Sequence, residues 1–187
     1  MERRKFITTS LATGLTISQL NSFAMTNSQV SEPQKPFIVK AGKARFEAEF
    51  DPIQNTKISA RDTGGQMSAF ENINETGPAP GPPLHIHPDQ DETFFIVEGD
   101  FLFQIGEEKI KVGKGDVVLG PRGVAHTFFQ LSKKGHMIFT YNPAGNMEEI
   151  FRGMSKMFST NTFNPDLFAK LCKENGVNFI GPPMKGE

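Results

Sequence analysis

Between residues 84 and 141 the chain alternates short apolar runs with turn-forming residues, at intervals typical of an antiparallel β protein. Within these runs apolar and polar positions alternate with a period of two, and β-branched and aromatic residues predominate, which favours strands over helices. The pattern predicts an antiparallel sandwich or barrel with strands near 84–87, 92–98, 101–105, 109–112, 116–119, 125–131 and 136–141.

The residues before this region predict further short strands at 45–50, 56–60 and 66–70. The sequence Asp-Thr-Gly-Gly at 62–65 separates the last two and is expected to form a turn. Four prolines in the stretch 77–83 argue against a central strand, because proline cannot donate to a sheet, so an ordered loop is expected there.

After residue 146 the apolar period changes to steps of three and four, which predicts an amphipathic helix. Its apolar stripe is expected to pack on the outside of the sheets or on a partner subunit. A second helix is expected to begin near Asn164-Pro165-Asp166 and to end near Asn175-Gly176. The stripe of the first helix consists of Met147, Ile150, Phe151, Met154, Met157 and Phe158.

The N-terminal residues Arg3-Arg4-Lys5-Phe6-Ile7 resemble a twin-arginine export signal, and Ser22-Phe23-Ala24 offers small residues for cleavage. We therefore expect an export signal peptide over 1–24 and a periplasmic or otherwise exported protein. A polar linker over 25–36 and a single domain over 37–183 are expected to follow. The chain holds no apolar run long enough to require a membrane span in the mature protein.

Two short blocks carry the candidate chemistry. The first is His85-x-His87-x4-Glu92-x6-Gly99, and the second is Gly115-x5-Pro121-x-Gly123-x2-His126. Side chains two apart on a strand point to the same side, so His85 and His87 are able to bind one ion together. A turn at 88–91 is expected to reverse the chain and to place Glu92 beside them. Three imidazoles and one carboxylate suit iron, manganese, nickel, copper or zinc.

The two blocks resemble the paired motifs of the cupin superfamily. The segment 142–145 and the tail 176–183 resemble the single-domain quercetin-dioxygenase-like members. The resemblance implies an all-β double-stranded β-helix, the cupin jelly roll, with C-terminal helices. It makes His85, His87, Glu92 and His126 the ligands of one divalent transition metal, iron first, with manganese, nickel, copper and zinc as alternatives. The chain departs from the family motifs at Ala79, where glycine is usual, and at Gln130, where asparagine is usual.

The resemblance implies a dioxygenase acting on a small aromatic or enolic, flavonol-like compound, with Glu92 as both metal ligand and catalytic base. The alternatives are a metal-dependent isomerase, epimerase or lyase, and a non-catalytic module that binds a small ligand. Cupin relatives commonly pair, so a homodimer is the default expectation. The alternating residues expected to line the substrate pocket are Phe101, Phe103, Phe128, Gln130, Phe139 and Tyr141.

Composition narrows the remaining possibilities. The chain has 187 residues with a net charge of −1, and its lysines and arginines form no stripe, so nucleic acid is not an expected partner. Cys172 is the single cysteine, which excludes an internal disulfide and suggests a small packed apolar residue.

His136 is expected to lie in a turn that faces water, outside the metal site. Two further expectations concern basic residues: Lys43, Arg45 and Lys57 on a solvated sheet face, and Arg122 stabilising the turn before His126 or approaching the cavity mouth.

Overall fold

The computed structural model describes residues 35–46 and 55–186. The expected signal peptide, 1–24, lies outside the described residues, as do positions 25–34 of the expected linker and 47–50 of the first expected strand. Within the described ranges, no helix is both long and apolar enough to span a lipid bilayer.

The described residues form eleven strands and two α-helices. Each strand predicted between 84 and 141 is present, with ends within one residue of those expected. The bounds are β1 (Asn55–Ile58), β2 (Ser68–Asn74), β3 (Ala79–Pro80), β4 (Pro83–Ile86), β5 (Asp91–Glu98), β6 (Phe101–Ile105), β7 (Glu108–Val112), β8 (Val117–Gly120), β9 (His126–Gln130), β10 (Gly135–Asn142), α1 (Met147–Ser159), α2 (Pro165–Glu174) and β11 (Asn178–Pro183).

The strands pair into two antiparallel sheets. One sheet has the order β1-β2-β10-β5-β8, and the other has the order β11-β4-β9-β6-β7 with β3 beside β9. Strands distant in sequence are neighbours, because β10 lies between β2 and β5 while β9 lies between β4 and β6. Two antiparallel sheets connected in this way around a common interior form a jelly roll. The predicted all-β architecture with C-terminal helices is confirmed.

Aromatic side chains join the two sheets. Phe94 of β5 and Phe103 of β6 are almost completely buried, and their ring centroids lie 4.9 Å apart across the interior. Phe70 and Phe139 stack at 5.7 Å on neighbouring strands of the first sheet. Burying one phenylalanine side chain contributes about 1.5–3 kcal/mol. The alternation of β5 therefore directs Phe94, and Glu92 with it, into the space between the sheets.

Two segments, one before and one after β2, differ from the structure expected from the sequence. Strand β1 ends at Ile58 because a 3₁₀ helix occupies Ala60–Thr63, where strand and then turn were expected. The Ser59 hydroxyl accepts a hydrogen bond from Arg61 N–H, and Gly64 ends the helix at φ 63°. The loop expected at 77–83 contains the two-residue strand β3, which pairs with the end of β9.

The two predicted helices are present, but the first half of α1 packs into the interior and not on the outside of the sheets. Met147, Ile150 and Phe151 of α1 are buried in the main core, and the Phe151 ring lies 4.7 Å from the Phe70 ring. The first half of the apolar stripe therefore covers the space between the sheets, whereas Phe158 at the other end of the stripe is 46% exposed. Helix α2 begins as the sequence suggests, since the Asn164 side chain accepts hydrogen bonds from two backbone N–H groups of its first turn.

The outer face of the first sheet holds a buried ionic cluster centred on Glu71. Lys57 Nζ lies 2.7 Å from Glu71 Oε2 and also donates to the carbonyl oxygens of Lys40 and Lys43. The other carboxylate oxygen, Oε1, lies 3.0 Å from His136 Nε2. These contacts attach the chain near residue 42 to β2 and β10.

The contacts of His136, Lys57 and Arg45 correct the expectations for these three residues. His136 lies on β10 with its imidazole against Glu71, so it is neither a turn residue nor directed to water. As expected, it lies outside the group formed by His85, His87, Glu92 and His126. The Lys57 side chain is only 12% exposed, and Arg45 pairs with Asp62 while its guanidinium lies 3.9 Å from the centroid of the Phe37 ring. The charges of Lys57 and Arg45 are therefore part of packed structure, whereas Lys43 is exposed as expected.

Candidate metal centre

Three strands bring the four candidate ligands together. His85 lies on β4 and His87 directly follows this strand, while Glu92 is the second residue of β5 and His126 begins β9. His85 and His126 are opposite one another in the β4–β9 pairing. All four side chains are buried, with 5% or less of their surface exposed. The sequence motifs therefore converge on one point inside the jelly roll.

The potential ligand atoms are close enough to share one ion. Glu92 Oε2 lies 2.9 Å from His126 Nε2, 3.3 Å from His87 Nε2 and 3.8 Å from His85 Nε2. One ligand atom from each residue lies within 4.8 Å of the others. Two ligands bound to zinc at about 2.1 Å are at most about 4.2 Å apart, so closure around an ion requires the most distant ligand atoms to approach each other by at least about half an ångström.

The opposite nitrogen of each imidazole faces an oxygen acceptor. His85 Nδ1 lies 2.8 Å from the Pro83 carbonyl oxygen, and His126 Nδ1 lies 3.0 Å from the Val124 carbonyl oxygen. His87 Nδ1 lies 3.4 Å from the side-chain oxygen of Gln90. A carbonyl only accepts, so each Nδ1 carries the proton when the ring is neutral, and each Nε2 presents a lone pair to the centre of the cluster.

This arrangement requires a positive charge at its centre. The Nε2 lone pairs and the Glu92 carboxylate repel one another unless a proton or a cation lies between them. His87 Nε2 is buried and has no hydrogen-bond partner, as expected of an atom whose partner is a metal. The four residues therefore fit a metal ion through the chemistry of their donor atoms.

The charge states of the ligands also fit a metal site. Burial alone would raise the pKa of the Glu92 carboxyl, but the surrounding imidazoles, His126 first, hold it well below its ordinary value. Burial lowers the pKa of His85 and keeps its ring neutral. Burial also acts to lower the pKa of His126, but the Glu92 carboxylate raises it by a larger amount. Glu92 is thus an anionic ligand.

An apolar cavity of about 440 Å³ adjoins the cluster. His85, His87 and Glu92 form part of its wall, and aromatic and methionine side chains form nearly half of the remainder. Tyr141 lies opposite Glu92 in the β5–β10 pairing, and its ring centroid is 5.2 Å from that of His87. Burial and the charge of Glu92 raise the pKa of Tyr141 well above its ordinary value, so its hydroxyl stays protonated.

The structure divides the six residues expected to line the pocket. Phe128, Gln130, Phe139 and Tyr141 line the cavity. Phe101 and Phe103 do not, because they lie behind Phe128, with ring centroids 6.0 Å and 5.4 Å from its ring. Further wall residues that the sequence did not reveal come from the helices and the segment after them, namely Met147, Ile150, Phe151, Met154, Phe168, Cys172, Val177 and Phe179.

Cys172 and Arg122 have structural positions. Cys172 is 2% exposed, and burial raises the pKa of its thiol to about 12, so it remains a neutral packed side chain. Arg122 pairs with Asp91, at 2.7 Å from Nη2 to Oδ2, and its backbone N–H donates to the same carboxylate. Of the two roles considered for Arg122, the contacts favour stabilisation of the turn before His126, and this turn is thereby tied to the start of β5.

The fold and the buried cluster can be compared with those of known proteins. The architecture is a jelly roll, and its buried group of His85, His87, Glu92 and His126 is able to hold one metal ion. Residues 75–141 match the family model described as a cupin domain. This match includes the four candidate ligands and ends at Tyr141, before the two helices.

Individual relatives have weaker similarity. A 54-residue stretch is 37% identical to an uncharacterized protein of Streptomyces coelicolor, covering 29% of this chain and about half, 51%, of that protein. Among solved structures, KdgF from Halomonas sp. is 18% identical, with 59% of this chain and 94% of that chain covered and a TM-score of 0.48. An RmlC-like cupin from Shewanella frigidimarina is 19% identical, with 60% and 95% covered and a TM-score of 0.47.

Metal binding should stabilise the fold measurably. At a free metal concentration of about 100 times Kd, binding contributes about 2.7 kcal/mol, which raises the Tm of a domain of this size by roughly 5–10 °C. Differential scanning fluorimetry with and without zinc or iron(II) measures the increment. His126→Ala should remove it, whereas His136→Ala, the matched change outside the cluster, should retain it. Retention in His126→Ala would place the ion elsewhere.

Proposed function

We propose that the protein is a metal-dependent dioxygenase that acts on a small aromatic or enolic, flavonol-like compound. The observation that carries this proposal is the position of the cluster, which lies in the wall of an apolar cavity of about 440 Å³. Cavities of about 300–1,000 Å³ are typical of small-molecule sites. A site of this kind favours a substrate that presents an oxygen to the ion and an aromatic body to the wall.

The chemistry of the donors is compatible with a redox-active ion. When bound, iron would supply a positive charge for an ionised enol oxygen and electron exchange with dioxygen, with manganese, nickel or copper as alternatives. In a dioxygenation both atoms of O2 enter the product, and the substrate supplies the electrons, so no separate reductant is required. Three histidines and one glutamate leave positions open for a substrate, as catalytic sites require.

The residues of the chain have distinct roles in this proposal. Glu92 accepts the proton of the enolic hydroxyl at its carboxylate, which is ionised because its pKa lies well below the ordinary value. Tyr141 supplies a protonated hydroxyl beside it. Phe128 and Phe139 bind the aromatic body of the substrate and exclude water, while Met147 and Met154 of α1 adapt to its outline.

The charges of the wall argue against a phosphorylated or carboxylated substrate. Of the described residues that line the cavity, none is lysine or arginine, and Glu92 is the single acid. Phosphate and carboxylate recognition normally uses arginine or lysine. A metal-dependent isomerase, epimerase or lyase that acts on such compounds is therefore less well supported than a dioxygenase.

Oxygen uptake by the iron-loaded protein tests the proposal. A panel of flavonols and simpler enols should give uptake that ceases when the metal is chelated. Ile150→Trp, which fills the cavity without touching a ligand, should lower kcat/KM by about 10- to 100-fold through misplacement of the substrate. Turnover with zinc in the absence of oxygen would favour an isomerase or lyase. Tight binding without turnover by any metal form would favour a non-catalytic ligand-binding protein.

A further inference from the structure

We propose that Gln90 is a positioning residue for the metal centre, which sets the tautomer and orientation of His87 and connects this ligand to the loop that leads into α1. Gln90 is 4% exposed and lies in the turn between β4 and β5. Its side-chain oxygen is the acceptor for His87 Nδ1 at 3.4 Å. The proposal rests on the metal centre of the proposed function and not on its oxygen chemistry.

His87 differs from the other two histidines in how its ring is held. His85 and His126 each face the backbone carbonyl oxygen two residues earlier, Pro83 and Val124 respectively. Their strands therefore hold these rings without help from another side chain. His87 depends on a side-chain amide, which is able to rotate and to be replaced.

Two backbone carbonyl groups decide which way the amide of Gln90 points. Its Nε2 donates to the carbonyl oxygens of Pro143 at 3.1 Å and Ala144 at 2.9 Å. A reversed amide would place oxygen against these two acceptors and NH₂ against His87 Nδ1. His87 would then carry its proton on Nε2, which points to the metal position, and the ring would be unable to bind. The loop carbonyl groups thus set the protonation of a ligand.

The loop that supplies these carbonyl groups is itself held in place. Ala144 N–H donates to the Gly65 carbonyl oxygen at 3.0 Å. Gly145 has φ 53°, and a Cβ there would collide with the amide of Gln90, so glycine leaves the space that this amide occupies. Met147, at the start of α1, lines the cavity two residues later. Gln90 consequently contacts both the metal ligand His87 and the loop before α1, the helix that forms part of the cavity wall.

Zinc-loaded protein labelled with ¹⁵N at histidine tests the proposal directly. In the wild type, His85, His87 and His126 should each give a slowly exchanging Nδ1–H resonance. Gln90→Met, which keeps the size of the side chain but removes both amide functions, should lose the His87 resonance alone. Its zinc affinity in a chelator competition should fall by about 10- to 100-fold, as for other residues that hold metal-bound histidines.

Gln104→Met is the matched control, because Gln104 lies on β6 and donates to the Gly106 carbonyl oxygen away from the cluster. It should retain all three resonances and the wild-type affinity for zinc. Retention of the His87 resonance or of full affinity in Gln90→Met would overturn the proposal, and so would equal loss of all three resonances, which would indicate general distortion.

If Gln90→Met does not fold, the wild type still offers a result that can contradict the proposal. In the zinc form, His87 must carry its proton on Nδ1, and a proton on Nε2 would overturn the proposal. Absence of zinc binding by the wild type would instead refute the metal centre and the proposed function with it. Normal zinc binding by Gln90→Met would refute only the role of Gln90.

Discussion

Glu92→Gln should reduce turnover in the oxygen-uptake assay by about 10²- to 10⁴-fold, the range typical for loss of a general acid or base. The amide has nearly the same shape as the carboxylate, but it is neutral and accepts no proton from an enol. It also removes the negative charge that faces three imidazoles at 2.9–3.8 Å, so metal affinity should fall as well. Assays at several metal concentrations, with bound metal measured in parallel, separate the two effects.

Glu98→Gln is the matched control for this substitution. Glu98 ends the same strand, β5, but is exposed to solvent, so metal content and turnover should equal those of the wild type. If Glu92→Gln binds metal fully and still turns over at the wild-type rate, Glu92 is not the base. A different result would favour a non-catalytic binding protein. In that case the wild type would show no turnover, and Glu92→Gln would bind the small ligand as tightly as the wild type does.

The metal centre was predictable because its information is local in the sequence. The spacing of His85 and His87 places both side chains on one side of a strand, and the alternation of β5 buries Glu92, Phe94 and Ile96 together. Gly99 lies at the β5–β6 turn with φ 93°, where a Cβ would meet the Lys134 carbonyl oxygen, so a glycine is required at this point of the motif.

The cavity wall was less predictable because it depends on packing between distant segments. The period of α1 correctly gave its apolar face, but nothing in the stripe indicates which surface this face covers. Likewise, Phe101 and Phe128 alternate in the same way along paired strands, yet only Phe128 reaches the cavity, since Phe101 lies behind it. Which of these side chains lines the cavity depends on how the two sheets and the two helices pack around it.

The ionic cluster around Glu71 was not predicted, because its members come from separate parts of the chain. Glu71 has apolar and polar neighbours in sequence and resembles any outward residue of a strand. Its burial results from the segment near Gly42, whose N–H donates to Glu71 Oε2 at 2.8 Å. Lys57 and His136 come from β1 and β10, and their positions beside Glu71 follow only from the order of strands in the sheet.

Glu71→Ala should destabilise the folded protein by about 3–5 kcal/mol, as expected when one partner of a buried ion pair is removed. The substitution leaves the Lys57 ammonium group, which is 12% exposed, without its carboxylate, and it leaves Gly42 N–H without an acceptor. For a domain of this size the Tm should fall by roughly 6–20 °C. Urea denaturation monitored by circular dichroism measures the change in the free energy of unfolding.

Glu75→Ala is the control, since Glu75 forms an ion pair with Lys134 in which both side chains are more than half exposed. Pairs of this kind contribute little to stability, so its urea midpoint should be close to that of the wild type. An equal loss in the two variants would mean that the cluster around Glu71 is no more important than a surface pair.

The contribution of Glu71 should also disappear in acid. Burial acts to raise its pKa, but the hydrogen bond from Lys57 and that from the Gly42 N–H, together with the charge of Lys57, lower it below the ordinary 4.5. Because the folded-state pKa is the lower one, the ionised group stabilises the fold fully above about pH 4.5, and this stabilisation is lost as the pH falls through the folded-state value. The difference in unfolding free energy between wild type and Glu71→Gln should therefore be constant from pH 7 to pH 5 and shrink below pH 4.5. A difference that grows on acidification would show that the carboxyl is protonated in the native protein, which would contradict its ion pair with Lys57.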